Sequence, residues 1–234
     1  ENPRAELYSF GTGKRELIGE TRLDSTITSF ESIKYAKTDE GTSIYADALC
    51  ADGSSMVTEF IYWSDYYNSI ISPFYSYSTG RTKETLRSSQ VTCRDIDDDG
   101  YIEIPEDTSS KKQSSEITSQ NWVNYGNTVL SHKCYSFSCK RDGYILVIDD
   151  NDFSKVKANY DSESRKLTII DKKNKSNVFE IVTLINSNYS VNDPKYKDYT
   201  MIMKNSGFVY LAKVNKSSDI DINIQTLKDM IKVY

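Results

Sequence analysis

The stretch SIYADALCADGSSMVTEFIYW, residues 43–63, decides the fold of the first part of this 234-residue chain. Apolar residues occupy every second position from Ile44 to Cys50, which predicts a strand with one inward face. Asp52-Gly53 then forms the strongest hairpin signal in the chain. Residues 56–63 place Phe60 and Tyr62 on one face and Val57, Ile61 and Trp63 on the other, which predicts a second strand that is covered on both faces.

Two further strands flank this hairpin in the sequence. Residues 33–36 alternate in character before the turn at 38–41, and residues 70–77 around Pro73 are rich in aromatic and β-branched side chains. We therefore expect an antiparallel meander of four short strands. Such a sheet needs a covering layer, as in a propeller or a sandwich.

An acidic loop, DIDDDGYIE at residues 95–103, lies beyond the meander. Acidic residues at alternate positions can surround a hard cation with oxygen ligands, and Ca²⁺ accepts about six to eight of them in flexible geometry. The five carboxylates of this stretch repel one another, and a cation would relieve that repulsion. An acidic turn without metal is the alternative. The candidate metal ligands are the carboxylates of Asp95, Asp97, Asp99 and Glu103.

The same spacing also satisfies the EF-hand pattern, with Glu106 at position twelve. An EF-hand needs a helix on each side, whereas the flank at 91–93 is β-rich and Pro105 stands where the exit helix would begin. We therefore expect a hairpin loop between two short strands, 90–93 and 101–104.

In that context the loop resembles the calcium loops of FG-GAP repeats, the blades of integrin-type β-propellers. The resemblance implies the same four carboxylates as ligands and adds the backbone carbonyl of Tyr101. The wider string CRDIDDDGYIEIP, residues 93–105, is similar to a repeat of uncharacterised exported lipoproteins from clostridial Gram-positive bacteria. The C-terminal strings RDGYILVID, FEIVTLI, FVYLAKV and LKDMIKVY resemble the last unit of the same proteins. The resemblance implies a secreted or envelope-anchored protein with a structural Ca²⁺, and we expect a leader or a lipid anchor upstream of Glu1.

The chain divides on composition into a propeller-like β-meander at 1–106, a polar linker at 107–120 and an α+β module at 121–234. Apolar residues from Ile224 to Ile231 recur at helical spacing, and Asn223 or Asp221 can cap that helix. The fold class is therefore mainly β with a smaller α+β part, an antiparallel sheet followed by a C-terminal helix. We expect further strands in this module at 122–130, 134–139, 144–148, 156–160, 166–170, 178–184, 199–203 and 208–214.

Composition narrows the functional classes. The net charge of -5 argues against a nucleic-acid partner, because phosphate binding needs a basic face. No apolar run is long enough to cross a bilayer. The four cysteines contain no C-x-x-C pair, so we expect free thiols and no structural zinc. His132 is the only histidine and no hydrolase motif is present, so an enzyme is the less favoured interpretation.

An aromatic run at residues 60–77 is the second candidate site. Rings at Trp63, Tyr66, Tyr67 and Tyr75 could form flat platforms for sugars or for a partner protein. A sheet core with half-exposed tyrosines is the alternative. The sequence thus predicts a non-catalytic surface binding or scaffolding module stabilised by calcium, whose protein or glycan ligand is unknown. A carbohydrate-binding or carbohydrate-active protein that uses residues 60–77 is the second hypothesis.

Overall fold

The structure is a computed structural model that describes residues 2–11, 13–108, 116–126, 128–188, 190, 193–215 and 220–234. Strands make up 55% of it and helices 8%, which confirms the mainly-β class. Two compact units are present, Glu1–Asp107 with Asn121–Lys133, and Thr108–Gln120 with Cys134–Tyr234. This division differs from the predicted one, because 121–133 belongs to the first unit. Residues 109–115 of the predicted linker lie outside the described residues.

The first unit is built from short antiparallel sheets. Its own described strands are β1 (Arg4–Ser9), β2 (Glu16–Arg22), β3 (Ile27–Thr38), β4 (Gly41–Cys50), β5 (Met56–Ser64), β6 (Ser69–Ile71), β7 (Tyr75–Ser76), β8 (Arg81–Thr82) and β9 (Ile104–Asp107). Two longer strands, β10 (Ile117–Gly126) and β11 (Val129–Cys139), run from one unit into the other. Strands β1 and β2 pair with each other, as do β7 and β8.

The predicted four-stranded meander is present as the sheet β3-β4-β5-β6. Its central hairpin turns at Asp52-Gly53, where Gly53 has φ +70° and the Asp52 carboxylate accepts from the N–H groups of Ser54 and Ser55. From Met56 to Tyr62 every residue of β5 is buried, as expected for a strand covered on both faces. None of the described sheets closes into a barrel or a propeller.

Aromatic rings fill one side of this meander. Phe60 is fully buried, and its ring lies 4.7–6.2 Å from the rings of Tyr45, Tyr62, Phe74 and Tyr125. The rings meet at tilted angles, which suits the aromatic quadrupole. The other side is covered by the β1–β2 hairpin, through partly buried residues such as Leu7 that pack against Ile61 and Ile70.

A buried ion pair connects the meander to the irregular segment that follows it. Arg87 and Asp47 are both fully buried, and an oxygen of Asp47 accepts from Arg87 Nη2 at 2.8 Å. The Asp47 carboxylate also accepts from Thr58 Oγ1 at 2.7 Å and from the N–H of Cys93 at 2.9 Å. Because every charge of the pair is hydrogen-bonded, its burial is tolerated.

Three strand predictions between residues 70 and 104 were wrong. The strand expected at 101–104 is not formed, because Glu103 contributes only an isolated bridge and β9 begins at Ile104. The strand expected at 70–77 is interrupted, with β6 ending at Ile71 and β7 beginning at Tyr75, because Pro73 has no N–H for a ladder. The strand expected at 90–93 is absent from the described structure. Backbone groups of Val91 and Cys93 bond instead to the side chains of Arg87 and Asp47, and an isolated bridge between Arg94 and Glu103 follows.

The second unit contains a five-stranded antiparallel sheet in the order β13-β14-β15-β17-β16. The hairpin predicted at 156–160 and 166–170 is present as β13 and β14. Strands β11, β12 and β18 are neighbours in a further sheet. The strands are β12 (Tyr144–Ile148), β13 (Val156–Asp161), β14 (Lys166–Asp171), β15 (Asn177–Ile185), β16 (Thr200–Lys204), β17 (Phe208–Val214) and β18 (Ile231–Val233).

The predicted C-terminal helix is present but shorter than expected. Helix α1 spans Asp150–Phe153 and helix α2 spans Ile224–Met230, capped by the Asn223 side chain on the N–H of Thr226. Leu227 is fully buried in the unit's core. The inclusion of Ile231 was wrong, because Ile231 begins β18 and pairs with Leu146. Short 3₁₀ helices occupy Asn186–Asn188 and Pro194–Tyr196.

The strand predicted at 122–130 was also wrong, because it joined two strands. Strand β10 ends at Gly126 and β11 begins at Val129. Thr128 has φ +66°, a left-handed conformation that a strand cannot contain. Within the described residues, no helix is long and apolar enough to span a bilayer.

We predict that Asp47→Ala lowers the free energy of unfolding by about 3–5 kcal/mol, because it leaves the Arg87 guanidinium buried without its counter-ion. Urea denaturation measures this loss. The double variant Asp47→Leu/Arg87→Met, which removes both charges, should lose less than Asp47→Ala alone. A single variant as stable as the parent would contradict the importance of this pair.

Candidate metal centre and tyrosine cleft

Two backbone hydrogen bonds between Arg94 and Glu103 close the acidic loop. Arg94 donates its N–H to the Glu103 carbonyl at 3.1 Å, and Glu103 donates back to Arg94 at 2.9 Å. Between them the chain reverses through two left-handed residues, Asp98 at φ +62° and Gly100 at φ +91°. The Asp95 carboxylate accepts from the N–H groups of Asp99 and Gly100, at 3.0 and 2.8 Å. The loop is therefore folded back on its first aspartate.

This fold brings three of the predicted ligands together. One carboxylate oxygen from each of Asp95, Asp97 and Asp99 lies within 4.8 Å of the others. Oxygens that share one Ca²⁺ at about 2.3–2.6 Å lie no farther apart than about 5 Å. The three groups thus fit around a single divalent cation. Asp97 and Asp99 are exposed and Asp95 is half-buried, so the cluster is open to solvent.

A lysine from a distant strand already contacts the cluster. The Lys133 ammonium lies 3.2 Å from Asp97 Oδ2 and 2.5 Å from Asp99 Oδ2. The hydrogen bond from Lys133, with one from the N–H of Tyr101, lowers the pKa of Asp99. The same contact with Asp99 raises the pKa of Lys133. Lys133 therefore acts as a tethered counter-ion, and sequence reasoning missed it because it lies 34 residues from Asp99.

Glu103 is not one of the three clustered residues. Its side chain is fully buried, and Oε2 accepts from the N–H of Ile96 at 3.0 Å. The other oxygen, Oε1, has no hydrogen-bond partner among the described residues. Burial, together with the charges of Asp97, Asp99 and Asp95, raises the pKa of Glu103 to about 7. A buried carboxylate oxygen without a partner is costly, and a nearby cation would offset that cost.

The remaining predicted positions behave differently. Tyr101 enters the loop through its backbone N–H, which donates to Asp99 Oδ1 at 2.9 Å. Glu106, the twelfth position of the EF-hand alternative, lies on β9, where its carboxylate accepts from Asn121. A bridge and a strand flank the loop where an EF-hand has helices. The geometry is therefore that of a hairpin loop.

The aromatic region contributes to a cleft of about 630 Å³. Tyr67 and Tyr77 are 65% and 73% exposed, so their rings are accessible from solvent. The Tyr75 ring packs edge-on against Tyr77 at 5.0 Å. The tyrosines that line the cleft are Tyr62, Tyr67, Tyr75, Tyr77 and Tyr125.

Only part of the predicted aromatic set lines this cleft. Tyr67 and Tyr75 do, whereas Trp63 and Tyr66 are not among its described lining residues. The indole N–H of Trp63 donates to Asp65, and Tyr66 is 88% exposed beside the Tyr67 ring. Tyr62 and Tyr77 lie in the predicted aromatic run at 60–77, whereas sequence reasoning missed Tyr125. Tyr125 lies on β10 and reaches the cleft through a long-range contact that no local pattern predicts.

A polar extension continues from this cleft. A neighbouring depression of about 570 Å³ shares Glu20, Thr21 and Tyr77 with it and is lined also by Arg4 and Arg22. Glu20 is the only carboxylate among the described residues that line the tyrosine cleft. The carboxylate of the buried Glu59 accepts hydrogen bonds from the hydroxyl groups of Ser72 and Thr82 and from the N–H of Asp24. The arrangement supplies aromatic surface and polar rims, which suits binding better than hydrolysis by a carboxylate pair.

Comparison with known proteins finds no matching family model, no matching curated protein and no matching solved structure. The resemblance to FG-GAP loops and to exported lipoproteins thus rests on the quoted residues alone.

The raised pKa of Glu103 predicts how stability depends on pH when divalent cations are chelated. A carboxyl group whose pKa is 4.5 in the unfolded chain and about 7 in the folded chain binds its proton more tightly when folded. Its contribution to stability is therefore fully present at low pH and is lost as the pH rises from 4.5 through about 7.

Glu103→Gln should remove this loss, which urea denaturation at a series of pH values would show as a flatter profile. The matched control is Glu84→Gln at an exposed glutamate, which should retain the parent's slope. Equal slopes for the parent and Glu103→Gln would contradict the assignment.

Proposed function

We propose that this chain is a non-catalytic binding or scaffolding module of the cell surface or extracellular space, stabilised by Ca²⁺. The observation that carries the proposal is the convergence of Asp95, Asp97 and Asp99, whose charges act on the buried Glu103 with its unpartnered oxygen. Carboxylate oxygens in a flexible loop are the ligands that Ca²⁺ prefers.

The loop's position explains why a cation would stabilise the fold rather than perform chemistry. Cys93 and Ile102, on either side of the loop, and Ile104, which begins β9, belong to the same core cluster as Phe60. Fixing the loop therefore fixes its flanks in that core. A weak site of this kind suits the roughly millimolar calcium outside cells.

Lys133 would compete with Ca²⁺ for the same carboxylates. Its ammonium supplies one positive charge on a flexible stem, whereas Ca²⁺ supplies two and can contact several oxygens at once. We infer that the metal displaces Lys133 from Asp97 and Asp99 when calcium is abundant. The lysine then limits the affinity of the site and stabilises the loop when calcium is scarce.

The meander and its acidic loop also support a relation to propeller blades. Sheet β3-β4-β5-β6 is a four-stranded antiparallel meander, which is the form of one blade. Together with the loop it supports the proposed secreted or lipid-anchored location, where an FG-GAP-like repeat would bind calcium.

A second candidate function is glycan binding, favoured by the tyrosine cleft. Exposed rings at Tyr67 and Tyr77 can stack on the apolar faces of sugar rings, while Glu20, Thr21 and Ser72 offer hydrogen bonds to hydroxyl groups. This function is compatible with the calcium-stabilised fold.

Calcium at about 10–100 times its dissociation constant should raise the melting temperature by about 3–10 °C over chelator-treated protein, because binding to the folded state alone adds roughly 1.4–2.7 kcal/mol. Asp97→Ala should abolish the shift, and Asp39→Ala, at an exposed turn aspartate, should retain it. Lys133→Met should enlarge the shift at subsaturating calcium. An Asp97→Ala protein that responds as the parent does would refute the site.

Glycan binding is tested by titrating the chain with soluble β-1,4-linked hexasaccharides of glucose and of N-acetylglucosamine in a calorimeter. Tyr67→Ala should weaken any binding about tenfold, since a stacked ring contributes about 1–1.5 kcal/mol. Tyr66→Ala is the matched control, because the Tyr66 ring is next to Tyr67 but does not line the cleft. Equal losses in both variants would argue against the cleft.

A further inference from the structure

The edge strand β3 carries an exposed apolar row. Along its regular half, side chains alternate between half-buried and exposed positions, with Ile33 66% and Tyr35 79% exposed. Ile44, which pairs with Tyr35 on β4, is 39% exposed on the same face. The covering hairpin β1–β2 packs over Ile61 and Ile70, toward the opposite edge of the sheet. The β3 end of this face is therefore open.

Beside that row, the backbone of β3 has groups that pair with no other described residue. Cys50 donates its N–H to Ser55 on the β5 side of β4, so the even-numbered residues of β4 bond toward β5 and the odd-numbered ones toward β3. Through the pairs Tyr45 with Lys34 and Ser43 with Ala36, the even-numbered residues of β3 bond toward β4. The N–H and C=O groups of 33, 35 and 37 consequently point to the open edge.

The exposed side chains of β3 are complementary in charge and polarity to those of a second β3 strand that runs antiparallel to it. They read Glu31, Ile33, Tyr35 and Lys37 at alternate positions. If two β3 strands meet antiparallel with residue 34 on the two-fold axis, Ile33 lies opposite Tyr35 and Glu31 lies opposite Lys37. The apolar pairs then occupy the centre and the opposite charges flank them on both sides, which stabilises a sheet pairing.

Other features select this register. A shift that places Tyr35 opposite itself would bring Glu31 opposite Asp39, two like charges. Bulges between Ile27 and Ser29 and between Phe30 and Ser32 make the first half of β3 irregular. Pairing with a second strand is therefore confined to the regular half. Lys34, which meets its own copy on the axis, lies on the other face and donates to the carbonyl of Cys93 of its own chain.

We propose that the chain forms a symmetric homodimer by antiparallel pairing of the β3 edges, centred on Lys34, which joins two four-stranded sheets into one. The occupant of the open edge is a second copy of this chain. The dimer depends neither on calcium nor on the tyrosine cleft.

Charge reversal gives a test that separates pairing from misfolding. Glu31→Lys alone and Lys37→Glu alone each place like charges opposite one another twice per dimer and should raise the dissociation constant about tenfold or more. An equimolar mixture of the two variants restores every opposite-charge pair and should dimerise like the parent. Sedimentation equilibrium measures all three, with circular dichroism to confirm that each variant is folded.

Tyr35→Lys should be monomeric, whereas Tyr66→Lys, at a more exposed tyrosine away from β3, should leave the dimer intact. A parent that stays monomeric at all concentrations would overturn the proposal. So would a dimer that survives both single charge reversals, or a mixture of the two variants that associates no better than either alone.

Discussion

The carboxylate of Asp47 is the interaction on which the first unit depends. It lies fully buried on β4 and accepts from Arg87, from Thr58 and from the backbone of Cys93. Arg87 in turn donates to the carbonyls of Thr85 and Val91. The two side chains of this ion pair thus supply hydrogen-bond partners to backbone groups of a segment that lies outside the β-strands. That segment leads directly to the acidic loop, so the pair helps to hold the loop next to the sheet.

The loop itself depends on a balance of charge. Its aspartates converge within 4.8 Å, Lys133 neutralises part of their charge, and Glu103 stays buried with a pKa raised to about 7. Negative charge is thus concentrated in a partly desolvated turn. A divalent cation is the partner that relieves all of it at once, and the proposed role of calcium is therefore structural.

Local signals predicted much of this fold. The Asp52-Gly53 turn, the Asn223 cap and the two-sided burial of β5 follow from short patterns whose physics is contained in a few adjacent residues. The errors occurred where distant partners decide the outcome. The segment at 90–93 looked like a strand because it is β-rich, but its backbone bonds to Asp47 instead of to a neighbouring strand.

The candidate sites show the same contrast between local signals, which the sequence reveals, and distant partners, which it does not. The spacing of Asp95, Asp97 and Asp99 predicted their convergence, because the loop forms from its own residues. Neither Lys133 nor Tyr125 could be assigned, since each reaches its site from a strand that is distant in sequence. Glu103 was also predicted as a ligand; it is buried, and its backbone bridges Arg94, while the three aspartates form the cluster without it.

A calcium titration followed by ¹H–¹⁵N correlation NMR tests the central claim most directly. The account predicts saturable shifts concentrated in the amides of residues 95–103, several of which donate to the aspartates, and at Lys133, which the metal displaces. Magnesium should produce smaller shifts, because it demands a more rigid octahedral site. Shifts that are absent, or spread evenly over exposed carboxylates elsewhere on the chain, would contradict a calcium site in this loop.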